Sequence, residues 1–328
     1  MSTNTRRRKR HSRNTGLVIL LLVLSAAVLL VGAQRLLLQP PEVETPPAET
    51  LSTPNGQASE EDAAAEALRS HQERKPGFYT ILVSGIDDGN GNTDTNILVA
   101  VDTENGAIYG VSIARDSKAV WGGKSHKINA AYGAGGMEKL AKVLSGQLGI
   151  PVDFTVLVNL QGFVALVDTI GGVDFEVPID MDYEDPYQDL YIHIPKGMQH
   201  LSGKEALKVV RFREGYATQD IGRMQTQQNF LKAVAKQVLQ ISNIPKIDNF
   251  VKIFQQYVKT DLTLGNLAWL GSEAISMGSD SIQFSTLPGE WHNPYIYLDA
   301  DEVLTLVNEH LNPYVEDRVS ADLDIPSR

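Results

Sequence analysis

Alternating runs of apolar and polar positions predict the elements of the central part of the chain. Runs rich in β-branched residues at 78–84, 95–101 and 107–113 predict strands, and Asn105-Gly106 predicts a tight hairpin between the last two. Apolar positions between 137 and 148 recur with helical period and predict a helix over 135–148, which ends before Gly149. The same reading predicts strands at 154–160, 173–177 and 281–287, and helices at 163–169, 203–210, 220–240, 247–258, 265–277 and 300–311. This order favours an α/β fold, with a central mixed β-sheet flanked by helices on both faces.

The first residues follow a different pattern. Six Lys/Arg residues within positions 1–13 precede Leu17–Ala33, which carries no charge. A helix of this length is close to the roughly 30 Å of bilayer hydrocarbon, and positive charge stays on the cytoplasmic side. We therefore expect a cytoplasmic basic tail at 1–15 and one N-terminal transmembrane helix at 16–34. A cleaved signal peptide ending near Val31-Gly32-Ala33 is the alternative, and it exports the rest of the chain as well.

Composition separates the rest of the chain into a linker, a folded domain and a tail. Residues 35–76 are rich in Pro, Glu, Thr, Ala and Ser, so we expect a flexible extracytoplasmic linker there. A folded domain is expected at 77–316 and a disordered tail at 317–328. The chain has no cysteine, which excludes disulfides and thiolate metal sites. Its net charge of −11 argues against a nucleic-acid partner.

Two carboxylates flank the Gly-rich turn between the first two predicted strands. Asp87 and Asp94 in this turn can converge on a hard cation such as Mg²⁺, which prefers oxygen ligands. The alternative is a turn in which Asp and Asn make only local backbone hydrogen bonds.

Arginines supply the second candidate chemistry. Arg115 follows the third strand, and Arg211 and Arg213 are two apart in a segment that we expect to be extended, so they share a face. Arg223 and Gln227 are four apart on a predicted helix and lie on one side of it. These side chains can clamp an anionic group, since guanidinium binds phosphate through two hydrogen bonds. Structural salt bridges to Asp116 or Asp220 are the alternative.

Several motifs in one order carry a resemblance to a known family. They are Gly85-Ile-Asp87, Thr93-Asp94-Thr95, residues 112–116, residues 127–132 with Gly135-Gly136, residues 166–174, residues 201–206, residues 210–213, and residues 220–223 followed by Gln227-Gln228. Together they resemble the LytR–CpsA–Psr family over about residues 78–240. The expected anchor and outward orientation agree with that family's layout.

The resemblance implies a phosphotransferase of the bacterial cell envelope, located in the cell membrane with its catalytic domain outside. Such enzymes move a glycopolymer, such as teichoic acid or capsule, from an undecaprenyl-pyrophosphate carrier to peptidoglycan, using magnesium. The carrier's lipid tail would lie in an apolar tunnel. By motif, Asp87 and Asp94 would hold Mg²⁺, and the pyrophosphate would be bound by Arg115, Arg211, Arg213, Arg223 and Gln227. The residues expected to be catalytic are Asp94, Arg115 and Arg213. The proton acceptor is left open between a carboxylate such as Asp94 and a metal-bound hydroxide.

Three positions depart from the family pattern, at Asn92, Ala114 and Thr226. Two of them, Asn92 and Thr226, replace an arginine that many relatives carry. Fewer cations would weaken pyrophosphate binding or mark a subgroup with a different donor or acceptor. The missing arginines favour one alternative function, a non-catalytic polyprenyl-phosphate binding or scaffolding protein. A polyprenyl-pyrophosphate hydrolase is a further alternative. Transcriptional regulation conflicts with an acidic domain outside the cell.

Overall fold

The computed structural model describes residues 38–43, 72–86, 91–185, 190–212, 215, 226, 229–230, 233–234, 237, 247–278 and 281–328. The membrane anchor predicted at 16–34 lies outside this part of the chain, as does most of the predicted linker. Within the described ranges, no helix is long and apolar enough to cross a membrane.

Strands and helices alternate along the described chain. The strands are β1 (Phe78–Ile86), β2 (Thr93–Asp102), β3 (Ala107–Ile113), β4 (Lys118–Trp121), β5 (Lys124–Lys127), β6 (Phe154–Asn159), β7 (Val173–Val177), β8 (Met181–Asp185), β9 (Leu190–Ile194), β10 (Gly197–Leu201), β11 (Val258–Thr260), β12 (Ile282–Thr286), β13 (Gly289–His292) and β14 (Tyr295–Leu298). The helices are α1 (Ala130–Leu148), α2 (Leu160–Ile170), α3 (Gly203–Arg211), α4 (Ile247–Tyr257), α5 (Leu264–Met277) and α6 (Ala300–Leu306), followed by a π-helical turn at Val307–Leu311 and a 3₁₀ turn at Ser320–Asp322.

Six strands form the central mixed sheet, in the order β11-β6-β1-β2-β3-β12. β1 lies parallel to β6, β3 lies parallel to β12, and the other neighbours are antiparallel. The remaining strands form two-stranded ribbons, β4–β5, β7–β10, β8–β9 and β13–β14. The predicted hairpin at Asn105-Gly106 is confirmed, and Gly106 takes the positive φ that this turn requires.

Both faces of the sheet are covered by helices, because the strands alternate their apolar side chains between the faces. On β1, Leu82 faces α1 and α6, whereas Ile81 and Val83 face α4 and α5. Full burial of an apolar side chain of this size stabilises the folded state by about 1.5–3 kcal/mol. The predicted α/β architecture with a central mixed sheet between helical layers is therefore confirmed.

A third apolar core joins α2 and α3 to the ribbons β7–β10 and β8–β9. Phe230 lies at its centre, with its ring centroid 5.1 Å from that of Phe175. Phe230 belongs to the segment 220–240 that was predicted to be helical. The described residues of that segment, 226, 229–230, 233–234 and 237, have helical backbone, and the others lie outside the description.

Some predicted boundaries were wrong. α1 begins at residue 130, five residues before the periodic apolar positions suggested, and its backbone is kinked at Gly135 and Gly136. The segment 317–328, predicted to be a disordered tail, lies against the domain, because Leu323 and Ile325 pack on the core beside α1. Within the predicted linker, residues 38–43 also contact the domain, and Asn266 at the start of α5 donates a hydrogen bond to the carbonyl of Gln39.

Candidate functional site

The candidate site lies at the carboxyl edge of the central sheet. β1, β3, β6 and β12 point in the same direction, so their C-terminal ends meet at one edge. β1 ends at Ile86, directly before Asp87, and β3 ends at Ile113, two residues before Arg115. β2 runs the other way and begins at this edge with Thr93 and Asp94. Ligands of open α/β sheets bind at such carboxyl edges.

A β-bulge marks the position of Asp94. Thr95 pairs with Gly85 and Thr93 pairs with Ile86, so Asp94 has no counterpart on β1. A bulge bends a strand locally and redirects its side chains, and bulges are frequent next to active sites. The backbone of Asp94 is described, but its side chain lies outside the description.

Arg115 is held by a tight turn between β3 and β4. The N–H of Ser117 donates to the carbonyl of Ala114 at 2.9 Å, and the N–H of Asn129 donates to the carbonyl of Arg115 at 3.3 Å. The N–H of Ile128 donates to the carbonyl of Ser117 at 2.8 Å. The start of α1 therefore fixes the backbone that carries Arg115.

Asp116 lies in the same turn as Arg115 and forms an ion pair with a residue outside it. Its Oδ1 lies 2.7 Å from Nζ of Lys127, at the end of β5, and its carbonyl accepts a hydrogen bond from the N–H of Ile296. Asp116 was expected as a salt-bridge partner of the arginines, and Lys127 was not predicted as its partner. The ion pair joins the motif at 112–116 to the motif at 127–132. The side chain of Arg115, next to Asp116, is half-buried at the edge.

Buried polar side chains lie beside Asp94 and Arg115. Ser84 donates a hydrogen bond to Oδ1 of Asn96 at 2.8 Å across β1 and β2. Nδ2 of Asn96 and the hydroxyl oxygens of Thr93 and Thr95 are buried without a hydrogen-bond partner in the described part of the chain. Each such group costs about 1–3 kcal/mol relative to its hydrated state. This concentration of buried polar atoms points to an edge that binds a polar group.

Two buried hydroxyl groups lie next to one of the predicted metal ligands. Hydroxyl oxygens of Thr93 and Thr95 flank the backbone of Asp94, and Mg²⁺ takes carboxylate, hydroxyl and water oxygens. Among the described residues there is no group of three or more acidic, His or Cys side chains that would hold a metal. The carboxylates predicted for this role, at Asp87 and Asp94, belong to side chains outside the description.

The turn between β1 and β2 rests on the first turn of α1. A Cβ on Gly133 would lie 2.9 Å from both the carbonyl oxygen of Gly91 and Oδ1 of Asn92. Only a residue without a side chain allows this approach. Asn92, which stands where many relatives have arginine, is thus half-buried against a helix.

The motifs at 166–174 and 201–206 have a structural role that the sequence analysis missed. The carboxylate of Asp168 in α2 accepts a hydrogen bond from the N–H of Gly203 at 2.7 Å. Ser202 and Glu205 form a reciprocal capping box at the start of α3, and the hydrogen bonds from Ser202 lower the pKa of the Glu205 carboxyl. The spacing of Ser and Glu, three apart before an apolar run, is a recognisable signal for this cap.

The prediction of an extended segment at Arg211 was wrong. Arg211 is the last residue of α3, because the capped amphipathic helix continues to this position, and the chain becomes extended only at Phe212. Arg211 is half-buried at this helix end. The other predicted ligands, Arg213, Arg223 and Gln227, lie outside the described residues. Thr226 is helical and buried.

Comparisons with known proteins show which family the chain matches. The sequence model of the LytR_cpsA_psr family matches residues 49–313. The Bacillus subtilis polyisoprenyl-teichoic acid–peptidoglycan teichoic acid transferase TagV is 33% identical over 224 residues, which are 65% of this chain and 56% of TagV. The enzyme of the same kind named TagU, from Bacillus cereus, is 36% identical over 189 residues, which are 56% of this chain and 60% of TagU. The alignments thus span little more than half the length of these curated relatives.

A solved structure shares the fold. The crystal structure of Bacillus subtilis TagV superposes with a TM-score of 0.58 at 30% sequence identity. The match covers 74% of this chain and 100% of that chain.

Proposed function

The chain belongs to the LytR_cpsA_psr family, and we propose that it is a membrane-anchored extracytoplasmic phosphotransferase. Its donor would be a glycopolymer on an undecaprenyl-pyrophosphate carrier, and its acceptor would be peptidoglycan. The observation that carries the proposal is the carboxyl edge of the sheet, where Arg115 and the bulge at Asp94 lie beside buried polar atoms of Thr93, Thr95 and Asn96 that have no hydrogen-bond partner among the described residues. Relatives of 33–36% identity that are named as teichoic acid transferases support it.

The reaction is a phosphoryl transfer. A sugar hydroxyl of the acceptor attacks the phosphorus that bears the glycopolymer, a new P–O bond forms, and the bond to the carrier's phosphate breaks. The lipid leaves as undecaprenyl phosphate, and the hydroxyl proton passes to a base, for which a carboxylate such as Asp94 is suited. This chemistry demands alignment and charge neutralisation more than covalent help from the protein.

The position of each residue indicates which of these tasks it would perform. The side chain of Arg115 is half-buried and its backbone is fixed by hydrogen bonds, so Arg115 would bind a phosphate oxygen from a defined position on the chain. Arg211, Arg213, Arg223 and Gln227 would complete the pyrophosphate clamp. Magnesium bound by Asp87 and Asp94 would neutralise charge on the pyrophosphate oxygens.

The lipid requires an apolar wall near this edge. On the face of the sheet below α4, Val83, Ile97, Val156 and Val158 are buried in one apolar core with Phe254. We propose that the undecaprenyl chain enters between this face and the helices, where each buried CH₂ group would contribute about 0.8 kcal/mol to binding.

The proposed location follows from the first residues of the chain. The basic tail at 1–15 and the apolar segment at 16–34 would place the N-terminus inside the cell and the domain outside, with residues 35–76 as the connection. This anchor would keep the domain close to its lipid-linked donor.

The test is a transfer assay with the full chain in detergent, lipid-linked glycopolymer and peptidoglycan fragments. Mass spectrometry should detect a glycopolymer joined to peptidoglycan through a phosphodiester, and Asp94→Asn should reduce its formation at least tenfold, since the charge of one carboxylate is lost. Lipid binding without turnover in both proteins would identify a scaffold. Release of glycopolymer to water without an acceptor would identify a hydrolase.

A further inference from the structure

A second concave site lies outside the sheet edge. It is a cleft of about 510 Å³ between the β4–β5 ribbon, α1 and the C-terminal segment. We call it the ribbon cleft. Trp121, Lys139, Lys142, Gln147 and Asp324 are among the residues that line it.

A buried polar atom in the ribbon cleft lacks a partner. Gln147 is only 2% exposed, and its Nε2 donates a hydrogen bond to the carbonyl of Lys118 at 2.7 Å. Its Oε1 is buried and makes no hydrogen bond within the described part of the chain. An amide oxygen in this state is costly to the folded protein and fits a ligand that presents an N–H or O–H group.

Two lysines give the ribbon cleft a site for negative charge. Lys139 and Lys142 are three apart on α1, so they lie on the same side of the helix. Neither forms an ion pair with another residue that the structure describes. Nζ of Lys139 lies 5.0 Å from the ring centroid of Trp121, which is itself stacked on His126 at 4.0 Å. The aromatic wall and the first lysine are therefore held in place.

The lining also carries negative charge, which narrows the choice of ligand. Glu138 and Asp324 line the ribbon cleft together with the two lysines. A polyphosphate offers only acceptors and negative charge, so it would be repelled by these acids and would leave Oε1 of Gln147 unpaired. A ligand that combines a carboxylate with N–H and O–H donors matches all five polar groups.

We propose that the ribbon cleft binds a muropeptide segment of the peptidoglycan acceptor, an N-acylated amino sugar that carries a carboxylate-bearing peptide. This inference rests on the proposed function. The carboxylate would pair with Lys139 and Lys142, an amide or hydroxyl would donate to Gln147, and the apolar part would contact Val143 and Trp121. N-acetyl sugars with short acidic peptides have this combination of groups.

The position of the ribbon cleft suits an acceptor subsite. Trp121 is six residues beyond Arg115, and an extended chain advances about 3.3 Å per residue, so at most roughly 20 Å separate them. A glycan segment of a few sugar rings covers that distance. The acceptor could therefore be held at the ribbon cleft while its reacting hydroxyl lies at the sheet edge.

The experiment measures binding without transfer. Muramyl dipeptide (N-acetylmuramyl-L-alanyl-D-isoglutamine) is titrated calorimetrically into the full chain in detergent. The double variant Lys139→Ala, Lys142→Ala should bind it at least tenfold more weakly, because a charge-assisted contact is lost. The matched control, Lys204→Ala with Lys259→Ala, removes two exposed lysines elsewhere and should bind like the wild type.

A second variant tests the amide oxygen. Gln147→Met keeps the approximate shape of the side chain but also removes the Nε2 hydrogen bond to the carbonyl of Lys118. We expect ligand binding about three- to tenfold weaker, as for the loss of one neutral hydrogen bond to the ligand. Circular dichroism confirms that each variant is folded. Chitotriose, an N-acetylated sugar without a carboxylate, should bind at least tenfold more weakly than muramyl dipeptide.

Some results would overturn the inference. They are the absence of saturable binding to the wild type, equal binding by the lysine double variant, and equal affinity for chitotriose. None of these depends on turnover. If the wild type binds muramyl dipeptide at this cleft but transfers nothing, the ribbon cleft stands and the proposed function fails. If transfer occurs and the lysine double variant leaves the KM for the acceptor unchanged, the proposed function stands and the acceptor role of the ribbon cleft fails.

Discussion

Nζ of Lys127 lies 2.7 Å from Oδ1 of Asp116, and this ion pair closes the turn that carries Arg115. The pair connects the end of β5 to the residue directly after Arg115. Asp116 is mostly buried, whereas Lys127 is about half exposed, so the pair stabilises the fold by about 1 kcal/mol or less. Its larger effect is expected on the orientation of Arg115.

Lys127→Met tests this positioning role. We expect kcat to fall about three- to tenfold, because Arg115 would be less well aligned with the phosphate, while the unfolding free energy changes by about 1 kcal/mol or less. Transfer kinetics and urea denaturation measure the two effects. Lys127→Arg should restore most of kcat, and a variant whose rate loss only follows its stability loss would contradict the positioning role.

Arg115→Ala should lower kcat/KM for the donor about 10- to 100-fold. The reason is the loss of a charge-assisted contact to phosphate, which is worth about 1.5–3 kcal/mol. Steady-state kinetics with lipid-linked donor measure the change. Arg328→Ala is the matched control, since Arg328 is exposed and contacts only Glu290 among the described residues. Unchanged kinetics in Arg115→Ala would exclude this arginine from the clamp.

Magnesium removal should suppress transfer reversibly. Activity should fall to background in excess chelator and return when Mg²⁺ is added. The proposed carboxylate pair and the pyrophosphate are both negatively charged, so they would repel each other without the cation between them. Asp87→Asn should raise the Mg²⁺ concentration needed for half-maximal rate. Full activity in excess chelator would rule out the metal role of Asp87 and Asp94.

A buried ion pair at the opposite edge of the sheet should govern stability. Arg74 donates to both carboxylate oxygens of Asp153 at 2.8 and 2.7 Å, and both side chains are almost fully buried. Arg74→Met would leave the buried Asp153 carboxylate without a cation, hydrogen-bonded to Thr80, so we expect a loss of about 3–5 kcal/mol in unfolding free energy. Urea denaturation measures it, with the exposed Arg328→Met as control. A loss below about 1 kcal/mol would show that the pair is not important for stability.

His200 should make a small, pH-dependent contribution to stability. Its hydrogen bond with Asp174, at 2.6 Å, raises the pKa of His200 above its ordinary value. The contribution is therefore complete below the ordinary pKa of about 6.5, and it disappears as the pH rises through the raised pKa of the folded state. Both side chains are mostly exposed, so the contribution is about 1 kcal/mol or less.

The measurement compares the wild type with His200→Gln by urea denaturation. The difference in unfolding free energy should be larger at about pH 5.5 than at about pH 8.5. Asp174→Asn should abolish this pH dependence. An equal difference at both pH values would mean that the ion pair does not form.

Local signals in the sequence predicted most of the sheet. The runs at 78–84, 95–101 and 107–113 became β1, β2 and β3, because β-branched residues and the Asn105-Gly106 turn specify these elements without distant contacts. The end of α1 was also predictable, since Gly149 adopts the left-handed conformation that closes a helix.

Contacts between distant segments explain what the sequence did not reveal. Three glycines interrupt the periodicity at the start of α1, and one of them, Gly133, is required by the loop that packs on it. Arg211 was assigned to an extended segment from the alternation Arg-Phe-Arg, although the cap at Ser202 starts a helix that reaches it.

The type of chemistry at the candidate site was predictable from the sequence, whereas the contacts that hold the site residues in place were only partly predictable. The positions of Arg115 and of the backbone of Asp94 at one sheet edge agree with the predicted strands. The pairing of Lys127 with Asp116 depends on the β4–β5 ribbon, whose short strands carry too weak a pattern to predict. The same holds for the buried hydroxyl groups of Thr93 and Thr95, which depend on the bulge.

The C-terminal segment forms one wall of the ribbon cleft. Asp324 and Pro326 line the ribbon cleft, yet they lie beyond residue 313, where the match to the family ends. Under the proposed acceptor role of the ribbon cleft, a change in this short strip would alter which cell-wall fragment is accepted and would leave the phosphate chemistry at the sheet edge untouched. Grafting the strip between relatives would then change the choice of acceptor independently of the reaction rate.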